Sequence, residues 1–313
     1  MDKNKFSKTM DMHKGSKTIV NPATTVNSMA TNIKRVYHND KTSTYWLPKD
    51  DEEQMRLTGQ HYAFKSLYGG NVLPSVIDAL DFQKGINILD VGCGSGIWVM
   101  DMVQEYPNCA YHGCDIDDIT YKKIRVNQFT FSKGNVIKGL PYEDNTFDFV
   151  HMRFFVAALR EENEWPTALG EVIRVTKPGG MIQVSDFDLK VPKDTTSLLY
   201  KAVLGYHHIC KSRGQNPNIG AELETMLSKH SNIKIVQSDY RTCDMSSGTS
   251  TAKMFIWDSL EGVKSAKDVL GPMLGVNTPE ELEDFLIRYR HDLETKESPV
   301  SFNSVAVQKL PVV

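Results

Sequence analysis

The sequence predicts a seven-stranded, mostly parallel α/β sheet with helices on both faces and a helical lid. Short apolar runs of β type alternate with amphipathic helical segments between residues 86 and 187. Strand, helix and strand repeated in this way require right-handed crossovers, which cover both faces of a parallel sheet. Further helices and two more strands follow in the final third of the chain. The 313 residues are enough for one large domain.

Charge divides the chain into two unequal parts. Residues 1–44 carry eight Lys and Arg against three Asp and Glu, a net charge of +5, and show no sustained apolar period. Residues 45–313 hold the remaining 28 basic and 36 acidic side chains, a net charge of −8. We therefore expect a disordered basic tail followed by a single domain. An acidic domain argues against nucleic acid as a partner.

Cysteine spacing and hydropathy indicate in which cellular compartment the protein is expected. The five cysteines are odd in number and form no C-x-x-C pair, so neither a metal site nor a disulfide framework is predicted. The N-terminus has no apolar core of a signal peptide, and no run of 18 apolar residues occurs, so a membrane is not an expected partner. The predicted location is cytoplasmic or nuclear. An idle extension is the main interpretation of the tail, and a role in nuclear import or partner binding through Lys34-Arg35 is the alternative.

The ordered part is expected to begin with a helix over about 51–68. Asp50 stands at the N-cap position and Glu53 at N3, which is an acidic variant of the capping box. Gly69-Gly70 would end the helix. A shorter apolar segment, 72–80, then leads to the first strand.

The remaining elements follow from periodicity and capping signals. Five parallel strands are predicted at 86–91, 110–114, 129–132, 147–151 and 181–187. Helices over about 195–212 and 220–229 precede a strand at 233–240, and Thr278-Pro279 begins a long helix. The last strand, 301–310, is expected to be antiparallel. The cofactor-binding core is assigned to 81–190, and the lid to 45–80, 191–230 and 245–296.

A glycine-rich turn joins the first strand to the next helix. Gly92, Gly94 and Gly96 allow a tight turn at which backbone approaches a ligand, and the helix N-terminus offers free N–H groups. The spacing is G-x-G-x-G, whereas the dinucleotide fingerprint of a Rossmann fold is G-x-G-x-x-G. This cradle is Rossmann-like but differs from the usual NAD pattern.

Two carboxylates make the ligand class more specific. Asp115, 19 residues after Gly96 at the end of the second strand, can accept both hydroxyls of a ribose. Asp90 stands before the glycine turn, where a carboxylate suits an ammonium group better than a pyrophosphate. A nucleoside that bears an amino acid is therefore favoured over NAD.

These motifs resemble those of the class I S-adenosylmethionine-dependent methyltransferases. The resemblance covers about residues 81–190 and rests on ILDVGCGSG at 88–96, Asp115, Gly134-Asn135 with LPYEDNTFDFV at 140–150, and RVTKPGG at 174–180. The segment Tyr45-Trp46-Leu47-Pro48, its following helix, and Val150-His151-Met152-Arg153 resemble more narrowly the fungal methyltransferases related to the velvet-complex regulator of secondary metabolism.

The resemblance implies S-adenosyl-L-methionine as cofactor and a role for each matching residue. Asp90 and the glycine turn would hold the methionine part, Asp115 the ribose, Ile116 one face of the adenine, and Asn135 with Val136 the adenine edge. Met152 would border the methionine part. The full set of cofactor-binding candidates is Asp90, Gly92, Cys93, Gly94, Gly96, Asp115, Ile116, Asn135, Val136 and Met152.

Methyl transfer from a sulfonium needs alignment more than a fixed catalytic group. His151 is the candidate base for an acceptor that must lose a proton, with a structural or cofactor-contacting histidine as the alternative. Tyr45, Arg153 and His207 are the substrate-contact candidates. For Tyr45 an aromatic packing role, and for His207 a surface role, remain open.

The absence of several sequence motifs limits the possible classes of methyl acceptor. The Asn-Pro-Pro-Tyr motif of amino-methylating enzymes and the Pro-Cys pair of pyrimidine methylation are missing from the chain. The predicted function is transfer of a methyl group to a small molecule or a protein side chain. A regulatory methyltransferase-like subunit of a nuclear complex that controls secondary metabolism is one alternative, and an NAD-dependent dehydrogenase is the other.

Overall fold

The computed structural model describes residues 35–38, 43–118 and 126–311. Across these residues, seven strands form one sheet in the order β3-β2-β1-β4-β5-β7-β6. The predicted seven-stranded α/β fold is therefore confirmed. The strands are β1 (Asn87–Val91), β2 (Ala110–Asp115), β3 (Phe129–Lys133), β4 (Phe147–Arg153), β5 (Thr176–Asp188), β6 (Ile233–Asp244) and β7 (Pro299–Lys309).

Pairing within the sheet follows the predicted directions. β1 pairs in parallel with both β2 and β4, and β4 pairs in parallel with β5. β7 lies between β5 and β6 and is antiparallel to both, as expected for the last strand. β5 begins at Thr176, earlier than predicted, because Thr176 already pairs with Phe147 before a register shift. The carboxyl ends of β1, β2 and β4 consequently meet at one edge of the sheet.

Alternate strand residues supply separate hydrophobic layers on the two faces of the sheet. On β1, Leu89 belongs to the larger buried cluster and Ile88 to the smaller one. The smaller cluster contains Trp98 and Met102 from the helix that follows β1. Successive side chains of a strand point to opposite faces, so a strand that is covered by helices on both sides is apolar throughout.

The helices begin and end largely where the capping residues predict. Asp50 accepts a hydrogen bond from the Glu53 N–H at 3.1 Å, and Gly69 ends the first helix in the left-handed conformation. Thr278 and Glu281 form a complete capping box. The helices are α1 (Asp51–Tyr68), α2 (Pro74–Ala79), α3 (Ile97–Glu105), α4 (Glu164–Val175), α5 (Leu198–Ser212), α6 (Ile219–Leu227), α7 (Ser250–Ser265), α8 (Lys267–Leu274) and α9 (Pro279–Thr295).

The helices outside the sheet core pack mainly on one another. α1 packs against α7, and α5 packs against α8 and α9. α6 instead packs on β5 and β7, so it covers the sheet, although the sequence assigned it to the lid. α1, α5, α7, α8 and α9 are called the helical layer below.

The described residues of the predicted tail lie on the domain. Arg35 makes two hydrogen bonds to the Asp50 carboxylate, at 2.7 and 2.9 Å, and its side chain is only 5% exposed. Tyr37 donates a hydrogen bond to Asp268, and Thr44 donates one to the Ala158 carbonyl. These contacts extend the folded part toward the N-terminus, past the predicted boundary at residue 44. Residues 1–34 and 39–42 of the predicted tail lie outside the described residues.

Among residues 35–38, 43–118 and 126–311, no helix combines the length and the apolar composition that crossing a bilayer requires.

Candidate functional site

An open cleft lies over the carboxyl ends of β1, β2 and β4. The space between its walls, including the part that is open to solvent, is about 1280 Å³. Ligands of open parallel sheets bind at this edge, where neighbouring crossovers leave opposite faces of the sheet. The predicted site residues that line it are Tyr45, Asp90, Gly92, Cys93, Gly94, Asp115, Ile116, Asn135, Val136, His151 and Arg153.

The glycine turn forms the floor of the cleft. Gly92 has φ +67°, and a Cβ there would lie 2.4 Å from the Phe155 ring, so any larger residue would collide. Gly94 has φ +53°, and a Cβ there would meet no atom within 4 Å. Its backbone therefore faces open space that a ligand can fill. Gly96 does not line the cleft and instead caps the N-terminus of α3.

Asp115 faces the glycine turn from the end of β2. One carboxylate oxygen accepts a hydrogen bond from the Gly94 N–H at 2.9 Å, and the other accepts from the Asp117 N–H at 3.2 Å. Burial raises the pKa of Asp115 above its ordinary value, although these N–H donors oppose the shift. A carboxylate has about four acceptor sites, so capacity remains for ligand hydroxyls.

A histidine and a carboxylate pair at the base of the cleft. His151 Nδ1 lies 2.8 Å from Asp90 Oδ1, as the parallel register of β1 and β4 dictates. The His151 ring stacks on the Trp98 ring with 4.0 Å between centroids and 5° between planes. Burial lowers the pKa of His151, so the ring is neutral and donates from Nδ1 to Asp90. Nε2 is then an acceptor, and it has no partner within the described part of the chain.

Arg153 enters the cleft two residues farther along β4. Its Nη2 donates a hydrogen bond to His61 Nδ1 at 3.1 Å, and its guanidinium lies 5.0 Å from the Phe64 ring centroid and 4.8 Å from that of Phe154. Burial lowers the pKa of Arg153 to about 10, so it stays charged at neutral pH. Phe154 has φ +64°, an uncommon conformation for a bulky residue and one that often marks a functional site.

Asn135 and Val136 form the wall next to β3. The Asn135 side chain accepts a hydrogen bond from the Ile137 N–H at 3.1 Å and caps a single 3₁₀ turn, Val136–Lys138. The Asn135 carbonyl oxygen is committed to this turn, while its amide nitrogen is left for another acceptor. Val136 and Ile116 add apolar surface on this side of the cleft.

Besides Gly96, two predicted contacts lie outside the cleft. Met152 is fully buried in the core between Val91 and Val184, because β4 continues to Arg153 and position 152 faces away from the cleft. His207, on α5, donates a hydrogen bond to the Leu189 carbonyl at 2.6 Å and lines neither this cleft nor its neighbour. The structure therefore corrects both assignments.

The N-terminal segment supplies lining residues that sequence reasoning missed. His38 and Lys49 both contact the Asp117 carboxylate, at 3.0 and 2.7 Å, and His38 lines the cleft beside Tyr45. Asp117 follows two residues after Asp115, so the segment is fastened next to the predicted ribose contact. No local pattern in the sequence signals this, because the partners are 68 residues or more apart.

A second cavity adjoins the first beneath the helical layer. The space between its walls, including the part that is open to solvent, is about 1140 Å³, and it shares wall residues Tyr45, Leu57, Gln60 and Phe154 with the cleft. Its wall is largely apolar and aromatic, with a buried ion pair of Arg56 and Asp258 at 2.9 Å on one side. The apolar wall residues include Leu199, Ala202, Val203, Tyr206, Phe255 and Tyr289.

Residues 88–180, which hold the glycine turn, Asp115 and the β4 residues, match the family model described as methyltransferase domain. This segment is a methyltransferase domain. The resemblance found in the motifs is thereby confirmed, and the dehydrogenase alternative loses support. The methyltransferase domain contributes the first cleft, whereas most of the second cavity comes from residues outside the matched segment.

The chain is similar to several curated fungal proteins. It is 25% identical over 159 residues to "Secondary metabolism regulator laeA" of Coprinopsis cinerea, covering 50% of this chain and 39% of that protein. It is 26% identical over 195 residues to "Methyltransferase str3" of Strobilurus tenacellus, covering 61% of this chain and 67% of that protein. The chain spans only 39% to 50% of the length of three of the curated proteins that it matches, which include the Coprinopsis cinerea protein.

A solved methyltransferase structure is similar to this fold, although its sequence identity to the chain is lower. The phosphoethanolamine N-methyltransferase 2 of Haemonchus contortus, solved with phosphomonomethylethanolamine and S-adenosylhomocysteine, superposes with a TM-score of 0.50 at 16% identity. The alignment covers 85% of this chain and 61% of the other. At this identity the likeness supports the methyltransferase-like fold alone.

Proposed function

We propose that the chain is an S-adenosyl-L-methionine-dependent methyltransferase that acts on a small apolar molecule. The observation that carries the proposal is the pairing of two adjoining cavities. One is a polar cleft on the glycine turn of the methyltransferase domain, and the other is an apolar cavity that shares a wall with it. A transferase of this kind needs adjacent sites for donor and acceptor, with their reacting atoms aligned.

The residues of the cleft fit the cofactor. Backbone at Gly94 faces empty space, His151 Nε2 is a buried acceptor without a partner in the described chain, and Arg153 is a partly buried cation. Asp90 and Asp115 add two carboxylates. A ligand with a ribose, an ammonium and a carboxylate would satisfy all of these groups, whereas a pyrophosphate would meet two carboxylates at short range.

The chain's residues would hold the cofactor by complementary groups. Asp115 would accept hydrogen bonds from the ribose hydroxyls, and Ile116 and Val136 would cover the adenine. Asp90 would face the ammonium group. When bound, the cofactor supplies a methyl group already activated by a sulfonium. The protein then has to align the acceptor and exclude water, for which the helical layer and Tyr45 are placed.

His151 suits a cofactor contact better than the role of base. Its ring lines the cleft but not the second cavity, where the acceptor would lie. Its Nδ1–H is held by Asp90, which leaves Nε2 to accept a hydrogen bond from a ligand donor. A general base must come within hydrogen-bond reach of the proton it removes. We therefore assign to His151 the structural and cofactor-contacting alternative.

A labelled-methyl transfer screen tests the proposal. The protein is incubated with S-adenosylmethionine labelled in the methyl group and with fungal extract divided into small-molecule and protein fractions. We expect label in organic-extractable small molecules. Label confined to the protein fraction would overturn the small-molecule assignment, and absence of S-adenosylhomocysteine binding would overturn the cofactor assignment.

A regulatory subunit in a nuclear complex is the second candidate, and the relatives named secondary metabolism regulators favour it. Arg35, half of the basic pair at 34–35, is bound to Asp50 and is not a free import signal in the folded chain. Fractionation of cells that express the chain with and without residues 1–34 tests this candidate. Cytosolic protein in both cases would contradict it.

A further inference from the structure

Arg153 is a partly buried cation that forms no salt bridge with any carboxylate of the described residues. It lies at the carboxyl end of β4 and lines the first cleft. Two guanidiniums with well-buried side chains are neutralised in the described residues, Arg35 by Asp50 and Arg56 by Glu53 and Asp258. Within residues 35–38, 43–118 and 126–311, no carboxylate forms a salt bridge with Arg153. This contrast singles it out from the rest of the structure.

The present contacts of Arg153 only partly offset the loss of water. Two aromatic rings, Phe64 and Phe154, lie about 5 Å from its guanidinium carbon and give cation–π attraction. His61 accepts one hydrogen bond. A buried charge that lacks a counter-ion remains costly, and a guanidinium has five N–H donors. The site is therefore short of one anion that can accept several hydrogen bonds.

A chain of hydrogen bonds fixes the position of the guanidinium. His61 Nε2 donates to Asp101 at 3.0 Å, and Asp101 also accepts from Lys65 at 2.6 Å and from Asn71 at 2.8 Å. With its proton on Nε2, the His61 ring can offer only Nδ1 as an acceptor, and that atom faces Arg153. α1, α3 and β4 together hold the cation in one place before a ligand arrives.

The charges around the cleft select the anion. Asp90 lies on the neighbouring strand, with His151 opposite it and Arg153 two residues beyond. One negative and one positive group in the same cleft match the two charges of an amino acid, whose ammonium would face Asp90 and whose carboxylate would face Arg153. A phosphate would be repelled by Asp90 and Asp115. Arg153 does not line the second cavity, so an acidic acceptor held there would not contact it.

We propose that Arg153 binds the carboxylate of the amino-acid part of the cofactor, held in place by His61 and Asp101. This inference rests on the proposed function, because it takes S-adenosylmethionine as the ligand of the cleft. A planar guanidinium and a carboxylate form two parallel hydrogen bonds, which fix the direction of the amino-acid chain as well as adding affinity. Arg153 is thus assigned to the cofactor and not to the substrate.

Binding of three nucleosides tests the assignment without any methyl acceptor. S-adenosylhomocysteine has the carboxylate, its carboxamide analogue lacks the negative charge, and 5′-methylthioadenosine lacks the whole amino-acid end. Their dissociation constants are measured by calorimetry for the wild type and for Arg153→Met. We expect the variant to lose about 10- to 100-fold in affinity for S-adenosylhomocysteine. Its affinity for 5′-methylthioadenosine should change by less than about twofold.

The carboxamide analogue has nearly the shape of S-adenosylhomocysteine but lacks the negative charge, so it tests whether Arg153 recognises that charge. The wild type should prefer S-adenosylhomocysteine to its carboxamide, and Arg153→Met should lose that preference. Arg213→Met is the matched control, because Arg213 also lies over an aromatic ring, that of Trp46, and lines neither cavity. It should retain the wild-type affinities for all three ligands.

Three results would overturn the assignment. Unchanged affinity of Arg153→Met for S-adenosylhomocysteine would show that Arg153 does not hold the carboxylate. An equal loss for S-adenosylhomocysteine and 5′-methylthioadenosine would indicate general damage to the cleft. A wild type that binds neither ligand would remove the proposed function itself and the inference with it, a result distinct from the first two.

Discussion

Asp115 is the residue that most directly links the sequence motif to a ligand. It comes from β2 and reaches the glycine turn after β1, where its carboxylate bonds the Gly94 N–H. Replacement by Ala removes the acceptor for ribose hydroxyls and leaves that N–H without its partner. We expect Asp115→Ala to weaken S-adenosylhomocysteine binding by ~1–3 kcal/mol, measured by calorimetry.

Asp81→Ala is the control for this prediction, because Asp81 is exposed and its one ion pair within the described residues is with nearby Lys84. It should bind like the wild type. Equal affinities of Asp115→Ala and wild type would show that the ribose is held by other groups.

The lowered pKa of His61 predicts how the stability of the protein depends on pH. Burial is the largest cause that lowers its pKa to about 3, and the positive charge of Arg153 adds to it, against an ordinary value of 6.5. Above pH 6.5 the histidine is neutral in both the folded and the unfolded chain, so the folded state keeps its full stability. As the pH falls below 6.5, His61 becomes protonated in the unfolded chain but stays neutral in the folded chain. The free energy of unfolding therefore decreases.

The size of this effect follows from the shift. Between pH 6.5 and pH 5, His61 alone should remove about 2 kcal/mol from the free energy of unfolding. Gln in its place can still accept from Arg153 and donate to Asp101 but cannot be protonated. Urea unfolding of His61→Gln and wild type at pH 7 and pH 5 should show a smaller acid loss in the variant. The same loss in both proteins would contradict the assigned pKa.

At the scale of elements, the first turn of α1 joins two parts of the chain. The Asp50 carboxylate caps the helix through the Glu53 N–H and also accepts from Arg35 and from the Val36 N–H. Asp50→Ala should therefore cost about 2–3 kcal/mol in the free energy of unfolding, more than an isolated cap. Denaturant titration measures it.

Thr249→Ala provides the comparison, since Thr249 caps α7 through one hydrogen bond to the Ala252 N–H. It should cost about 1 kcal/mol. Costs that are the same for both variants would mean that the attachment of residues 35–36 to Asp50 adds nothing.

The elements were predictable where the information is local. Asp50 and Glu53 predict the start of α1, and Thr278 and Pro279 predict the start of α9. Apolar runs that alternate with helical segments predict β1 to β5. Local patterns do not show where a strand stops, and this is why Met152 was misplaced. β4 runs two residues beyond its predicted end and turns that side chain into the core.

The site was predictable only in part for a related reason. The glycine turn, Asp90 and Asp115 are motifs whose spacing carries their chemistry. The link between Arg153, His61 and Asp101 joins β4, α1 and α3, so no window of sequence contains it. Likewise, the segment around His38 reaches the cleft through pairing with Asp117, across 79 residues.

At the scale of the whole molecule, donor and acceptor cavities belong to different parts of the fold. The sheet edge forms the cleft, and the helical layer forms about half of the wall of the second cavity. Ala202 of α5 is buried and lines the second cavity only. Ala202→Phe should occupy space meant for the acceptor, reducing methyl transfer at least tenfold, or about 1.4 kcal/mol, while leaving S-adenosylhomocysteine affinity unchanged.

Leu204→Phe is the matched control on the same helix, because Leu204 is 40% exposed and lines neither cavity. It should transfer methyl groups like the wild type. Loss of S-adenosylhomocysteine binding in Ala202→Phe would show that the two cavities act as a single site.

The central claim is that the cleft on the glycine turn binds S-adenosylmethionine. Calorimetry of the wild type with S-adenosylhomocysteine and, separately, with NAD tests it most directly. We expect a one-to-one complex with S-adenosylhomocysteine and no heat of binding with NAD. Tight binding of NAD together with no response to S-adenosylhomocysteine would contradict it.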